Sequence, residues 1–296
     1  MSILFDNKTP VVVQGVTGKE GSYWTRHMRD LGTNVVAGVT PGKGGGEQDG
    51  IPVYDHAAEA AERHGAQASM IFVPPRFTKN AVFEALDAGI KLIVTIADGI
   101  PLHEMAEIRT RAKSSGAMVI GGNTSGVISP GVAMMGCFPY WIGRVYKKGR
   151  IGVMTRSGSL TNEVTSMVVA AGYGVSTLAG VGGDSIPGTR FAELLPLYEA
   201  DPGTDAVVII GELGGTMEEE AAELMRSGAF TKPLVAFLGG RTAPEGVRMG
   251  HAGAIATGGK GSVKDKIEAL ESAGALVADR PSRVGVLLRQ ALGAGQ

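Results

Sequence analysis

His251 is the side chain in this sequence best suited to act as a nucleophile. It stands in Arg248-Met249-Gly250-His251-Ala252-Gly253-Ala254-Ile255, between small residues that leave an imidazole open to a partner, and ahead of a glycine cluster, Gly258-Gly259-Lys260-Gly261. Imidazole can carry a phosphoryl group covalently. His27, His56, His64 and His103 sit in polar helical contexts and read as solvated. Two further segments supply what a nucleophilic histidine needs. Gly211-Glu212-Leu213-Gly214-Gly215 sets one carboxylate between glycines. A carboxylate that accepts the Nδ1 proton leaves Nε2 as the nucleophile. Thr155-Arg156-Ser157-Gly158-Ser159-Leu160 reads as a strand end, a hydroxyl-rich turn and a helix start, which is an anion site by the charge of a helix N-terminus. The plain alternatives are an ordinary loop histidine and a solvated loop acid. Chemistry is favoured because all three segments fall at strand ends.

A second constellation points to phosphate. Val11–Val13 runs into Gln14-Gly15-Val16-Thr17-Gly18-Lys19-Glu20-Gly21 and then a helix, with glycines spaced G-x-x-G-x-x-G. The nicotinamide fingerprint is G-x-G-x-x-G, so the spacing differs by one. A dinucleotide fold would also end its second strand on Asp or Glu, to hold a ribose 2′-hydroxyl. This chain has Val39-Thr40-Pro41-Gly42-Lys43-Gly44-Gly45-Gly46 instead. An ammonium among glycines suits an additional phosphate, which excludes NAD and leaves NADP or coenzyme A. The alternative is a flexible turn.

The elements that must position these residues follow from patterning. Val11–Val13, Val35–Val39, Ser69–Val73, Leu92–Ile96 and Met118–Ile120 are short apolar runs. They are too apolar for half-exposed strands and suit a parallel sheet buried on both faces. Helical patterns at 20–31, 57–64 and 79–88 lie between them. Residues 123–149, dense in Gly and Pro, break the rhythm and read as a connection between domains. The alternation restarts with strands at 151–154, 175–181, 206–210, 234–238 and 275–277, and helices from Leu160, Phe191, Glu218 and Val263. The expected organisation is two consecutive α/β units, residues 1–125 and 150–296, joined by 126–149. Sheets of this kind bind ligands at the carboxyl ends of their strands.

Composition bounds the rest. Glycine, at 46 of 296 residues, is well above the usual share of about 7%. Collagen is excluded because glycine does not recur at every third position. Disorder is excluded by 44% hydrophobic residues and a net charge of −1. The same balance gives no basic field for nucleic acid. No apolar run reaches the ~18 residues of a membrane span. No secretory leader is evident, and the single cysteine, Cys137, can form no internal disulfide, so a cytoplasmic protein is expected.

Together, GVTGKEG (15–21), GVTPGKGG (38–45), TRSGSLTNE (155–163), GVGGDSIPG (180–188), IGELGG (210–215) and RMGHAGAI (248–255) resemble the α subunits of the succinyl-CoA synthetase family, the NDP-forming acid–CoA ligases. The resemblance runs through nearly the whole chain. It implies an N-terminal Rossmann-like CoA-binding domain and a flavodoxin-like parallel α/β ligase domain. CoA would meet Thr17, Gly18, Lys19, Glu20 and Lys43, then Val73, Pro74, Ile96, Ala97 and Asp98. His251 would be phosphorylated, with Glu212 orienting it and Ser157, Gly158 and Ser159 holding the phosphoryl group. ATP or GTP, with Mg2+, would sit on a separate ATP-grasp β subunit, since this chain has no G-x-x-x-x-G-K-[ST] loop. An αβ or α2β2 assembly follows, with no metal on this chain.

Three departures from the family pattern gather where the acid would bind. The family usually reads GPNCPG where this chain has Gly121-Gly122-Asn123-Thr124-Ser125-Gly126, so Thr124 replaces a cysteine. In 136–141 a family Gly-His is replaced by Tyr140-Trp141. Asn162 stands where the family has a tyrosine, as in ATP-citrate lyase and citryl-CoA synthetase. Asn123, Thr124 and Asn162 are therefore the candidate acid-binding residues. The acid is succinate or a relative of it, with malate, citrate and sulfonated acids as candidates. Citryl-CoA synthetase and malate–CoA ligase small subunits are the related alternatives. An NADP-binding oxidoreductase and a non-catalytic CoA-binding module are those of another class.

Overall fold

A computed structural model describes residues 2–244, 246–256 and 261–293. The chain forms two compact units, Ser2–Phe138 with Ile186–Thr189, and Pro139–Ser185 with the described residues from Arg190 onward.

The first unit runs β1 (Val11–Gln14), α1 (Lys19–Leu31), β2 (Val35–Val39), β3 (Glu47–Gln48), β4 (Ile51–Tyr54), α2 (Ala57–His64), β5 (Ala68–Ile71), α3 (Pro75–Asp87), β6 (Leu92–Thr95), α4 (Leu102–Ser114), β7 (Met118–Ile120), β8 (Gly126–Ser129) and β9 (Ala133–Gly136). Its sheet has the order β3-β4-β2-β1-β5-β6-β7, parallel except for the β3–β4 hairpin. Strands β1, β5 and β6 are buried along their whole length, as their mostly apolar sequences suit, with Gln14, Ser69 and Thr95 as the buried polar residues among them. The chain reverses direction across the sheet between β1 and β5. In sheets of this kind ligands bind at such a topological switch, beyond the carboxyl ends of the strands. The buried Gln14 amide ties β1 to β5 and α3, donating to Ser69 Oγ at 3.0 Å and to the Ala81 carbonyl at 2.9 Å.

Residues 126–136 are regular rather than irregular. Strands β8 and β9 pair antiparallel about Pro130-Gly131, and the hairpin is fixed by Thr33, whose hydroxyl donates to the Met134 carbonyl at 2.7 Å.

The second unit runs β10 (Lys148–Thr155), α5 (Gly158–Ala170), β11 (Val175–Gly180), α6 (Phe191–Ala200), β12 (Ala206–Glu212), α7 (Met217–Arg226), β13 (Leu234–Gly239), α8 (Val263–Ser272), β14 (Leu276–Ala278) and α9 (Val284–Ala291). Five strands pair in parallel in the order β14-β13-β12-β10-β11. Tyr198 on α6 is fully buried, and its hydroxyl is satisfied by the carbonyls of Val153 and Thr177 at 3.0 and 3.1 Å. Its ring leaves no room for a Cβ at Gly152. Here the switch lies between β10 and β12, so Thr155–Ser159 and Glu212–Gly215 leave the sheet side by side. Among the described residues no helix is long and apolar enough to cross a membrane.

Candidate active site

In the first unit, three of the expected segments emerge from neighbouring strands. Thr17–Glu20 follows β1, Val73 and Pro74 follow β5, and Ile96–Asp98 follows β6. Gly15 has φ +78°, and a Cβ there would overlap the Phe72 carbonyl. A Cβ at Gly21 would overlap the Gly15 carbonyl. These two glycines of the spaced set serve the loop's own packing. Gly18 differs: it caps α1 with no side chain of its own, leaving exposed backbone at a helix N-terminus. That end suits an anion.

Thr17 Oγ1 donates to Thr40 Oγ1 at 3.2 Å, tying this loop to the one that carries Lys43. The Gly44 N–H, 2.8 Å from Asp55 Oδ1, holds the Asp55 carboxyl below its ordinary range, helped by the N–H groups of Gly42 and Lys43. Asp55 thereby shapes the turn while the Lys43 side chain stays exposed.

Asn123 has φ +50°, and its N–H donates to the Ala97 carbonyl at 2.8 Å, so its loop is anchored to the Ile96–Asp98 segment. Thr124 Oγ1 accepts the Gly126 N–H at 3.0 Å. Nearby in sequence, burial pushes the Cys137 thiol up to about 12, with the Glu20 carboxylate adding to the shift. Cys137 is thus a protonated thiol at neutral pH and not a nucleophile.

In the second unit the structure brings His251 and Glu212 together. The Glu212 carboxylate, at the end of β12, lies 3.0 and 2.8 Å from His251 Nδ1 through Oε1 and Oε2. Glu212 is 6% exposed, so the contact is poorly screened. Its hydrogen bond raises the His251 pKa above 6.5, with partial burial and the Arg156 charge opposing. With Nδ1 committed as donor, the neutral ring carries its lone pair on Nε2. Among the described residues, no protein group bonds Nε2.

The ring sits on Gly183, where a Cβ would overlap it, and the adjacent turn is pinned by the Gly253 N–H donating to the Gly183 carbonyl at 3.0 Å. Gly183→Ala is therefore expected to lower turnover about 10–100-fold by displacing the imidazole, with CoA affinity unchanged. Paired steady-state kinetics and CoA titration check this.

Ser157 caps α5, accepting the Leu160 N–H at 3.4 Å, and lies 3.4 Å from Ser159 through their hydroxyls. Arg156, one residue earlier, connects this turn to the histidine pair. Its Nε lies 3.4 Å from Glu212 Oε1, and its Nη1 donates to the carbonyls of Glu212 and Gly214 at 3.3 and 2.9 Å. Sequence reasoning gave Arg156 no role, although it sits inside the hydroxyl-rich motif; nor did it single out Gly183. Asn162, also on α5, accepts the buried Tyr146 hydroxyl at 2.5 Å through Oδ1. Burial raises the Tyr146 pKa, so this phenol stays a donor. Asn162 belongs to the second unit, whereas Asn123 and Thr124 belong to the first. The expected glycine cluster at 258–260 lies outside the described residues, and among the described residues no group of three or more His, Cys, Asp or Glu side chains forms a metal site.

Comparison with known proteins matches these two units to two families: a CoA binding domain over residues 6–99 and CoA-ligase over residues 154–276. The chain is 71% identical to the ADP-forming sulfoacetate–CoA ligase subunit SqwL of an Acholeplasma species, covering 98% of each chain. It is 49% identical to the succinate–CoA ligase [ADP-forming] subunit alpha 2 of Archaeoglobus fulgidus, covering 99% of this chain and all of that one. Among solved structures it resembles ATP citrate lyase of Methanosaeta concilii in complex with (3S)-citryl-CoA, with a TM-score of 0.90 and 26% identity over 98% of this chain. The chain spans about half the length of that lyase chain, 50%. With a CoA-binding unit, a CoA-ligase unit and near-complete coverage of a succinate–CoA ligase α subunit, the chain belongs to the family of ADP-forming acid–CoA ligase small subunits.

Proposed function

We propose that this chain carries the phosphohistidine of a ligase that joins sulfoacetate to CoA at the expense of ATP. The Glu212–His251 contact carries the chemical part of this reading, because it prepares Nε2 as a nucleophile. A partner subunit of ATP-grasp type would hold ATP with Mg2+ and deliver the γ-phosphoryl group. Nε2 attacks that phosphorus, and the bond to the ADP oxygen breaks. Glu212 stabilises the positive ring that forms. The Ser157–Ser159 turn at the α5 N-terminus is suited to hold the transferred group.

The phosphoryl group then passes from Nε2 to a carboxylate oxygen of the acid. The CoA thiol, held by the first unit through Thr17, Gly18, Lys19, Glu20 and Lys43, attacks the acyl phosphate carbonyl. Phosphate leaves and the thioester remains. Val73, Pro74, Ile96, Ala97 and Asp98 would line the CoA path at the carboxyl ends of β5 and β6. An αβ or α2β2 assembly in the cytoplasm fits the reading.

The choice of acid rests on the relatives. Identity to the sulfoacetate–CoA ligase subunit is 71%, against 49% for the succinate–CoA ligase subunit. The departures at Thr124 and Asn162 agree with it. Because Asn162 Oδ1 already accepts from Tyr146, its amide N–H groups remain to meet an anionic oxygen. A sulfonate offers three such oxygens on a tetrahedral centre, where succinate has a planar carboxylate.

The test is an acid panel, measured as CoA-dependent ADP release by the chain co-expressed with its partner subunit. Sulfoacetate should exceed succinate, malate and citrate in kcat/KM by at least about tenfold, or about 1.4 kcal/mol of transition-state binding. Preference for succinate would reject the assignment of the acid while leaving the ligase chemistry in place.

A further inference from the structure

A second charged cluster lies against the Glu212 turn. Lys266 on α8 and Glu218 on α7 are fully buried. Lys266 Nζ donates to Glu218 Oε2 at 2.5 Å, to Glu219 Oε2 at 2.8 Å and to the Gly215 carbonyl at 3.0 Å. The other oxygen of Glu218, Oε1, accepts the backbone N–H of Glu212 at 3.2 Å and lies 3.6 Å from Arg156 Nη1. Glu218 thus holds the main chain of Glu212, while Arg156 faces both carboxylates. Stability alone does not account for such a cluster, because an apolar pair of similar volume often serves a core as well.

We infer that Lys266 is a positioning residue for phosphoryl transfer: by neutralising Glu218 it leaves Arg156 to Glu212 and fixes the carboxylate that orients His251. This rests on the phosphohistidine reading above. Without the ammonium, the one cation within reach of Glu218 among the described residues is Arg156. A guanidinium drawn towards Glu218 loosens its contact with Glu212 Oε1. The carboxylate can then rotate, and the bidentate hold on Nδ1 is lost. The effect falls on the rate at which Nε2 is presented, not on binding of CoA, whose expected residues lie in the other unit.

The test uses the complex with its nucleotide-binding partner and follows His251 labelling from γ-labelled ATP, together with KM for CoA and for the acid. Lys266→Met is compared with the double variant Glu218→Gln/Lys266→Met. In the double variant the amide still accepts the Glu212 N–H and no buried charge remains in the pair. Lys266→Met should label His251 about 10–100-fold more slowly, whereas the double variant, which has no carboxylate at 218 to compete for Arg156, should label within about threefold of wild type, with each KM within about twofold of wild type in both. The double variant should melt within a few degrees of wild type. In a Glu212→Gln background Lys266→Met should add no further loss, since it acts through that carboxylate.

Labelling at the wild-type rate in a folded Lys266→Met variant, or a double variant as slow as the single one, would overturn the inference. So would a full additional loss in the Glu212→Gln background, a rate loss matched by a raised KM for CoA, or failure of either variant to assemble. An unlabelled wild-type complex would reject the phosphohistidine reading, and the inference with it.

Discussion

Replacing His251 by asparagine is expected to abolish both phosphoenzyme formation and turnover, a loss of about 10⁴-fold or more, while CoA binds as in the wild type. The two parts of this result have separate origins. Asparagine can donate to Glu212 as Nδ1 does, so the carboxylate keeps a partner and the local fold survives. It has no ring nitrogen able to attack phosphorus. The CoA-binding residues expected from sequence follow β1, β2, β5 and β6, in the other compact unit. Labelling with γ-labelled ATP in the presence of the partner subunit, beside CoA titration of the same preparation, reads both parts. A variant that still turns over would remove the covalent step. An oxidoreductase built on the first glycine loop would keep its activity whatever stood at position 251.

Much of this site is legible in the sequence because residue type and strand position carry it. Runs such as Val11–Val13 and Ala206–Ile210 are apolar on both faces, which marks parallel strands. In a parallel sheet the loops that matter follow the strand ends. Glu212, His251 and Ser157 are polar residues in that position. Elements of weaker pattern are not legible in the same way. Helix α4 reads Leu-His-Glu-Met-Ala-Glu-Ile-Arg-Thr-Arg-Ala-Lys-Ser, with only Met105, Ile108 and Ala112 buried. Helix α3 starts at Pro75, where a proline at the first helical position looks like a strand terminator from sequence alone. The β8–β9 hairpin hides among glycines and prolines that suggest an irregular connection. The β3–β4 hairpin turns on Asp49-Gly50, both at positive φ, a signal that local reading could have used.

The charged residues behind Glu212 are illegible for another reason. Lys266 and Glu218 are 48 positions apart, and each alone reads as the polar face of an amphipathic helix. Only the packing of α7 against α8 turns them into a buried pair. The glycines divide in the same way. Gly15, Gly21 and Gly183 are required by close approach of the chain to itself, whereas Gly18 keeps helix-end backbone open. Spacing does not distinguish these uses.

Glu212→Gln should separate the two effects that the carboxylate has on His251. In the wild type its hydrogen bond and charge raise the imidazole pKa, so the ring stays protonated to a higher pH than a free histidine near 6.5. The nucleophile is the neutral ring, so wild-type phosphorylation must rise as pH climbs through that raised value. An amide removes the charge. Burial and Arg156, which both oppose protonation, then dominate, and the acidic limb of the pH–rate profile moves to lower pH. At low pH a larger fraction of the variant's histidines is therefore neutral. The plateau should nonetheless fall by about 10²–10⁴, because the amide cannot stabilise the positive ring that forms as Nε2 bonds to phosphorus. Folding stability follows the opposite sense. A raised folded pKa gives the wild type an increment that is present in full below about 6.5 and lost as pH rises through the folded value. The variant lacks it. Its deficit in thermal stability should therefore be greatest on the acid side, where its kinetic deficit is least. A plateau unchanged by the substitution would show that Glu212 only orients the ring. An acidic limb that moved to higher pH would show that some other group sets the His251 charge.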